Sequence, residues 1–121
     1  MARVMIIDDS PVIRKVTRRL LETMHLDPLE AESGADALNA CARAMPDAIV
    51  VKATLQGMDG CDFLRELRKM PHGEKPKVLY CLIDNDPAQI AKGMHAGADE
   101  HLFKPFDRQS LHHKLHTIGL I

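Results

Sequence analysis

Val4-Met5-Ile6-Ile7-Asp8-Asp9-Ser10-Pro11 decides the fold. Four consecutive apolar residues stop abruptly at two acids. A short uninterrupted run of this kind is a strand buried on both faces, as in a parallel sheet. Ser10 then offers an N-cap side chain and Pro11 a preset first helical position, so strand gives way directly to helix. Apolar Val12, Ile13, Val16, Leu20, Leu21 and Met24 follow at helical spacing, which places Arg14, Lys15, Arg18 and Arg19 on the solvated side.

The same alternation continues along the chain. Pro28 to Glu32 is a weaker strand, and Ser33-Gly34 opens a helix carrying Ala35, Ala37, Leu38, Ala40, Cys41 and Ala44. Met45-Pro46 breaks the chain before the buried strand Ala48-Ile49-Val50-Val51. After the loop Gln56-Gly57-Met58-Asp59-Gly60, Asp59 starts a helix with Phe63, Leu64, Leu67 and Met70. A polar connection from Pro71 to Pro76 leads to the strand Val78 to Ile83. Asp86-Pro87 caps a helix with Ile90, Ala91 and Met94, which ends at Gly97. His101-Leu102-Phe103 is a fifth strand, and Lys104-Pro105-Phe106 leads into an amphipathic helix from Asp107 to Thr117. Five strands alternating with five helices through short links imply right-handed crossovers and an α/β fold with a doubly wound, five-stranded parallel sheet. Residues 1–121 are expected to form one domain. Sites in such folds lie at the carboxyl ends of strands, where Asp8, Asp9, Lys52, Leu82 and Lys104 all fall.

Composition narrows the function classes. Apolar residues make up 45% and charged residues 27% of 121, a globular balance. The net charge of −1 gives no general attraction to nucleic acid or to an anionic membrane, so neither DNA nor a membrane is expected as a partner. Apolar runs of four to six residues fall far short of a bilayer span, and no leader peptide is evident. Cys41, Cys61 and Cys81 are an odd number without metal-type spacing, which fits a cytoplasmic chain with reduced thiols. Only three Phe, one Tyr and no Trp are available for stacking on a base or sugar.

Taken together and in order, several motifs resemble those of the receiver domain, the CheY-like module of two-component signalling. They are Asp8-Asp9, Pro46-Asp47 with the apolar run before Lys52, Gly57-Met58-Asp59-Gly60, Gly97-Ala98-Asp99 and Lys104-Pro105-Phe106. The resemblance spans essentially the whole chain and implies the flavodoxin/CheY-like (βα)5 fold. With nothing downstream, the chain resembles a stand-alone regulator without a DNA-binding or enzymatic output domain. In that family an aspartate at the end of the third strand takes a phosphoryl group. Two acids after the first strand hold Mg²⁺, which neutralises the transferring oxygens. A Ser or Thr on the fourth strand and a Lys before a Pro bind the phosphoryl oxygens, and an aromatic residue on the fifth strand changes rotamer.

Three positions depart from that pattern. The acceptor position is Lys52, the hydroxyl position is Leu82 and the switch position is His101. The register is secure, because 30 residues separate Lys52 from Leu82 and 22 separate Leu82 from Lys104, as the family requires. A lysine forms no acyl phosphate and its ammonium repels Mg²⁺; a leucine cannot hydrogen-bond a phosphoryl oxygen. The usual three Asp and one Lys carry −2, whereas Asp8, Asp9, Lys52 and Lys104 sum to zero. Lys52 is therefore expected to pair with Asp8 or Asp9 beside the metal position, with no metal and no cofactor. Such a pair at ~4 Å is worth at most ~4 kcal/mol before the cost of desolvation.

These features imply a binding module acting on a protein partner through the face of the fourth helix, fifth strand and fifth helix. A histidine kinase, a phosphotransfer protein and a motor or chemotaxis component are the candidate partners. An enzyme using the Lys52 amine would need an acid–base pair and a substrate pocket that the sequence does not supply. Two other readings stay open: a cyclic dinucleotide bound by Arg14, Lys15, Arg18 and Arg19, and phosphorylation on Asp8 or Asp9. His101 is read as half-exposed packing ahead of a pH-sensitive switch. His112, His113 and His116 are read as a solvated helix face ahead of a metal site, and the cysteines as small buried hydrophobes.

Overall fold

The computed structural model describes residues 1–121. Strands and helices alternate throughout: β1 (Arg3–Ile7), α1 (Pro11–Thr23), β2 (Asp27–Ala31), α2 (Gly34–Arg43), β3 (Ala48–Lys52), α3 (Gly60–Lys69), β4 (Lys77–Leu82), α4 (Pro87–Ala96), β5 (Glu100–Phe103) and α5 (Arg108–Thr117). Every strand pairing is parallel, and the spatial order is β2-β1-β3-β4-β5. The winding reverses between β1 and β3, so a crevice opens at their carboxyl ends.

Side chains alternate across a strand, so the sheet buries two separate layers. On one face Met5, Ile7, Ile49, Val51, Val78, Tyr80 and Leu82 meet Ala37 and Cys41 of α2, Phe63, Leu64 and Leu67 of α3, and Ala96 of α4. On the other, Val4, Ile6, Ala48, Val50, Leu79, Cys81 and Leu102 meet Leu21 of α1 and Leu111 and Leu115 of α5. Cys41, Cys61 and Cys81 are buried free thiols. Burial pushes the Cys41 thiol up to about 11 and the Cys81 thiol up to about 12, so both stay neutral as packing groups.

Each helix starts on a short polar side chain that accepts a backbone N–H. The pairs are Ser10 with Ile13, Ser33 with Asp36, Asp59 with Asp62, Asp86 with Ala88 and Asp107 with Ser110. Each cap contributes about 1 kcal/mol and fixes where strand-end loops become helix.

Several details differ from the sequence expectation; β4 and β5 each begin one residue earlier, at Lys77 and Glu100. β2 occupies Asp27–Ala31, one residue earlier than the Pro28 to Glu32 run. β4 ends at Leu82; Ile83 is 71% exposed and belongs to the following loop. Helix α1 turns Val12 and Val16 outward at 69% and 49% exposure, because its inward stripe runs through Thr17 and Leu21. In α4, Ala91 and Met94 face outward while Gly93 and Ala96 face inward. The Tyr80 ring lies directly beneath Gly93, where a Cβ would collide with it, so only glycine lets α4 lie this close to β4.

Candidate functional site

The strand ends bring the predicted residues into one cleft. Asp8 and Asp9 follow β1, Lys52 ends β3, Leu82 ends β4 and Lys104 follows β5. The Lys104 amide donates to the Leu82 carbonyl at 2.7 Å, and Ala53 N–H donates to Cys81 O at 2.8 Å, so ladder-like bonds hold these ends together past the strands themselves. Gly60, the first residue of α3, packs so close to the backbone after β3 that a Cβ would clash with the Lys52 carbonyl oxygen and crowd Ala53. That contact pins the loop after β3 against the cleft.

Two ion pairs fill the cleft. Lys104 Nζ donates to Asp8 Oδ2 at 2.6 Å, and these side chains are only 12% and 5% exposed. Asp8 Oδ1 accepts from the Ser10 amide at 2.9 Å, so both of its carboxylate oxygens are engaged. Lys52 Nζ donates to Asp9 Oδ1 at 2.9 Å, with side-chain exposures of 23% and 29%. The Lys52 hydrogen bond is the main force holding the Asp9 carboxyl below its ordinary range, against the opposing pull of burial. Arg14 reaches the Asp8 carbonyl oxygen at 2.6 Å from α1. No fully buried side-chain nitrogen or oxygen lacks a hydrogen-bond partner, so the buried end of the cleft is satisfied by its own residues.

Beside the pairs lies a small opening of about 110 Å³, lined by Lys52, Thr54, Leu82, Asp84, Gln89 and Lys104 among others. Sequence reasoning passed over Thr54, Asp84 and Gln89. Their only sequence signal is that they lie in or just beyond the loops after β3 and β4. Leu82 borders this opening but is only 2% exposed, its apolar side chain packed into the core layer with Tyr80 and Val51.

His101 lies outside the cleft, on β5. Its ring meets Phe103 edge-on at 5.3 Å, and Nδ1 sits 3.0 Å from Glu100 Oε1. Burial works to raise the Glu100 carboxyl, but the His101 amide and the Lys114 ammonium, 3.3 Å away, hold it below its usual value. His112, His113 and His116 are exposed on α5. The four α1 cations do not form one free face: Arg14 and Arg18 both grip Glu30, at 3.1 and 2.7 Å, leaving Lys15 and Arg19 exposed.

Mg²⁺ is the cofactor such a cleft implies in the family, and these residues do not fit it. The family site presents a surplus of carboxylate charge. Here each acid carries an ammonium within 3 Å, at 2.6 Å on Asp8 and 2.9 Å on Asp9, and the four charged groups sum to zero.

A doubly wound sheet with an acid-and-lysine crevice at its switch point defines a signalling module of the receiver class. Residues 4–116 match the response regulator receiver domain, and the chain belongs to that family. It is 30% identical over 109 residues to the response regulator MprA of Mycobacterium sp. strain KMS; the match covers 90% of this chain and 46% of that protein. The chain thus spans about half the length of the curated relatives it matches. Among solved structures it resembles the chemotaxis protein CheY4 of Vibrio cholerae, with a TM-score of 0.93, 26% identity and 98% of each chain covered. It also shares its fold with the receiver domain of the sensor histidine kinase PA1611 from Pseudomonas aeruginosa, solved with magnesium in its active site cleft, at a TM-score of 0.89, 24% identity and 98% of each chain covered. No helix is long and apolar enough to cross a membrane.

Proposed function

We propose that residues 1–121 form a single receiver domain that takes part in two-component signalling without being phosphorylated at the usual position, and that it works by binding another protein. The observation that carries this reading is the Lys52 ammonium, 2.9 Å from Asp9 at the end of β3, where the family places its phosphoryl acceptor. An amine there forms no acyl phosphate. The buried Leu82 side chain, which offers no hydrogen bond to a phosphoryl oxygen, is a second and independent loss. The domain is read as non-catalytic and as a protein of the cytoplasm.

Binding is assigned to the face of α4, β5 and α5. β5 is one of the two edge strands, and the partly exposed Met94, His101, Phe103 and Lys114 lie on these three elements. The partner class is a histidine kinase, a phosphotransfer protein or a motor or chemotaxis component. Binding of a cyclic dinucleotide is not favoured, because Arg14 and Arg18 are already held by Glu30. Phosphorylation of Asp8 or Asp9 is disfavoured in the same way, since each carboxylate is paired to a lysine.

Incubation with acetyl phosphate followed by intact-mass measurement tests the reading. No phosphoryl adduct is expected on the native chain. An adduct mapped to Asp8, Asp9 or any other cleft residue would overturn it.

A further inference from the structure

We propose that the Lys52 ammonium is the resident cation of this cleft: a covalently tethered charge that stands in for a divalent metal and makes the state of the domain independent of one. This deepens the proposed function and rests on its placing of Lys52 in the acceptor seat.

Three observations converge on it. The first is position. Lys52 ends β3, between β1 and β4 in the sheet, and its ammonium meets Asp9 Oδ1 at 2.9 Å, across the crevice between β1 and β3. The second is division of labour. Lys104 already neutralises Asp8 at 2.6 Å, so the carboxylate left for a cation is Asp9, and Lys52 is the group that meets it. The third is completeness at the cleft's buried end. Asp8 spends Oδ2 on Lys104 and Oδ1 on the Ser10 amide, and no fully buried side-chain polar atom is left unpaired, so Asp8 holds no free oxygen for a metal.

Charge arithmetic turns this into an ordered prediction. With lysine at position 52 the four groups sum to zero; with alanine they sum to −1; with aspartate, to −2. Affinity for a divalent cation rises with the number of ligating charges. A tethered ammonium also meets Asp9 as an intramolecular partner and gives up no translational freedom in doing so. Native protein should therefore ignore Mg²⁺, Lys52→Ala should respond weakly, and Lys52→Asp should respond strongly.

The experiment is a Mg²⁺ titration of the native chain, Lys52→Ala and Lys52→Asp, followed by thermal midpoint and by backbone amide shifts. The native chain should show no midpoint rise up to ~20 mM Mg²⁺, because a ligand that does not bind the folded state cannot stabilise it. Both variants should rise with Mg²⁺, and half-saturation in Lys52→Asp should lie at least ~10-fold below that in Lys52→Ala. The shifted amides should cluster at Asp8, Asp9 and Ala53. A further Asp9→Asn change in Lys52→Asp should weaken the response.

The proposal is overturned if native protein is stabilised by Mg²⁺ through shifts at Asp8 and Asp9, since the lysine would then have swung aside. It is also overturned if removing Lys52 leaves the cleft indifferent to Mg²⁺. Because the native arm needs no substitution, a variant that folds poorly does not rescue the idea. Failure here is distinct from failure of the proposed function: a Mg²⁺-responsive native chain still could not form an acyl phosphate on an amine. Conversely, a phosphoryl adduct on Asp8 or Asp9 would sink that function whatever Mg²⁺ does.

Discussion

The floor and the rim of the cleft hold the same chemistry in different surroundings. Each has one lysine and one aspartate in direct contact, Lys104 with Asp8 and Lys52 with Asp9. On the floor the carboxylate is 5% exposed and the ammonium 12%; at the rim the figures are 29% and 23%. Solvent access decides what such pairs are worth. A buried charge that loses its partner has nowhere to be solvated, whereas a half-exposed one turns to water. The floor pair is therefore structural, and the rim pair is the adjustable one.

The largest effect expected from this contrast follows Lys104→Met. It leaves the Asp8 carboxylate buried with only the Ser10 amide as a strong partner, and urea unfolding should show a loss of about 3–5 kcal/mol. A loss as small as that of an exposed pair, below about 1 kcal/mol, would mean that the floor is wetter than its geometry implies. A smaller effect should follow Glu30→Ala, which frees Arg14 and Arg18 on the side of α1. Glu30 is 32% exposed and its carboxyl is held low chiefly by the Arg18 hydrogen bond. Arg18 is 35% exposed and Arg14 14%, but the shared Glu30 carboxylate is reached by water, so the two pairs together should contribute about 1 kcal/mol, falling further at high salt. If Glu30→Ala cost as much as Lys104→Met, exposure would not be the quantity that ranks these pairs.

Most of the framework behind this comparison is legible in the chain itself. Val4 to Ile7 running into Asp8-Asp9, and the apolar runs ahead of Lys52 and Lys104, place four charges at strand ends from the sequence alone. The pairing scheme is not legible: charge counting leaves Lys52 free to choose Asp8 or Asp9, and only the positions of β1, β3 and β5 in the sheet assign it to Asp9. Helix α1 misleads for a different reason. Val12, Val16 and Leu20 form one stripe at four-residue spacing, and Ile13, Thr17 and Leu21 form another. The second faces the core, but its buried threonine, 2% exposed, disguises it as polar. Arg14 and Arg18 appear as free basic charge in the sequence because Glu30 lies on another element, 16 and 12 residues away. Arg68 gives no local signal at all. Its guanidinium joins the carbonyls of Gly97, Gly73 and Pro76 to Asp99, tying the end of α4 to the loop before β4. Long side chains that bridge distant segments are set by tertiary geometry and leave no periodicity to detect.

The smallest effect, and the most specific, belongs to the rim. Lys52→Met should change stability at neutral pH by less than about 1 kcal/mol, since Asp9 can be hydrated once its partner is gone. Its pH dependence carries more information than its size. Asp9 is held below its ordinary value of 3.8 in the folded chain, mainly by the Lys52 hydrogen bond. A depressed folded pKa contributes stability that is complete above the unfolded value and vanishes as pH falls through the folded one. Glu30, Glu100 and Asp107 are likewise held low, so native protein and variant should share a common acid loss. The difference between the two should stay constant above about pH 5 and shrink towards zero at lower pH, as Asp9 takes up its proton in both. Paired urea titrations of native protein and Lys52→Met at several pH values measure that difference directly. A gap that persists unchanged into strong acid would show that Lys52 holds the rim by packing its alkyl stem, with the ion pair contributing little.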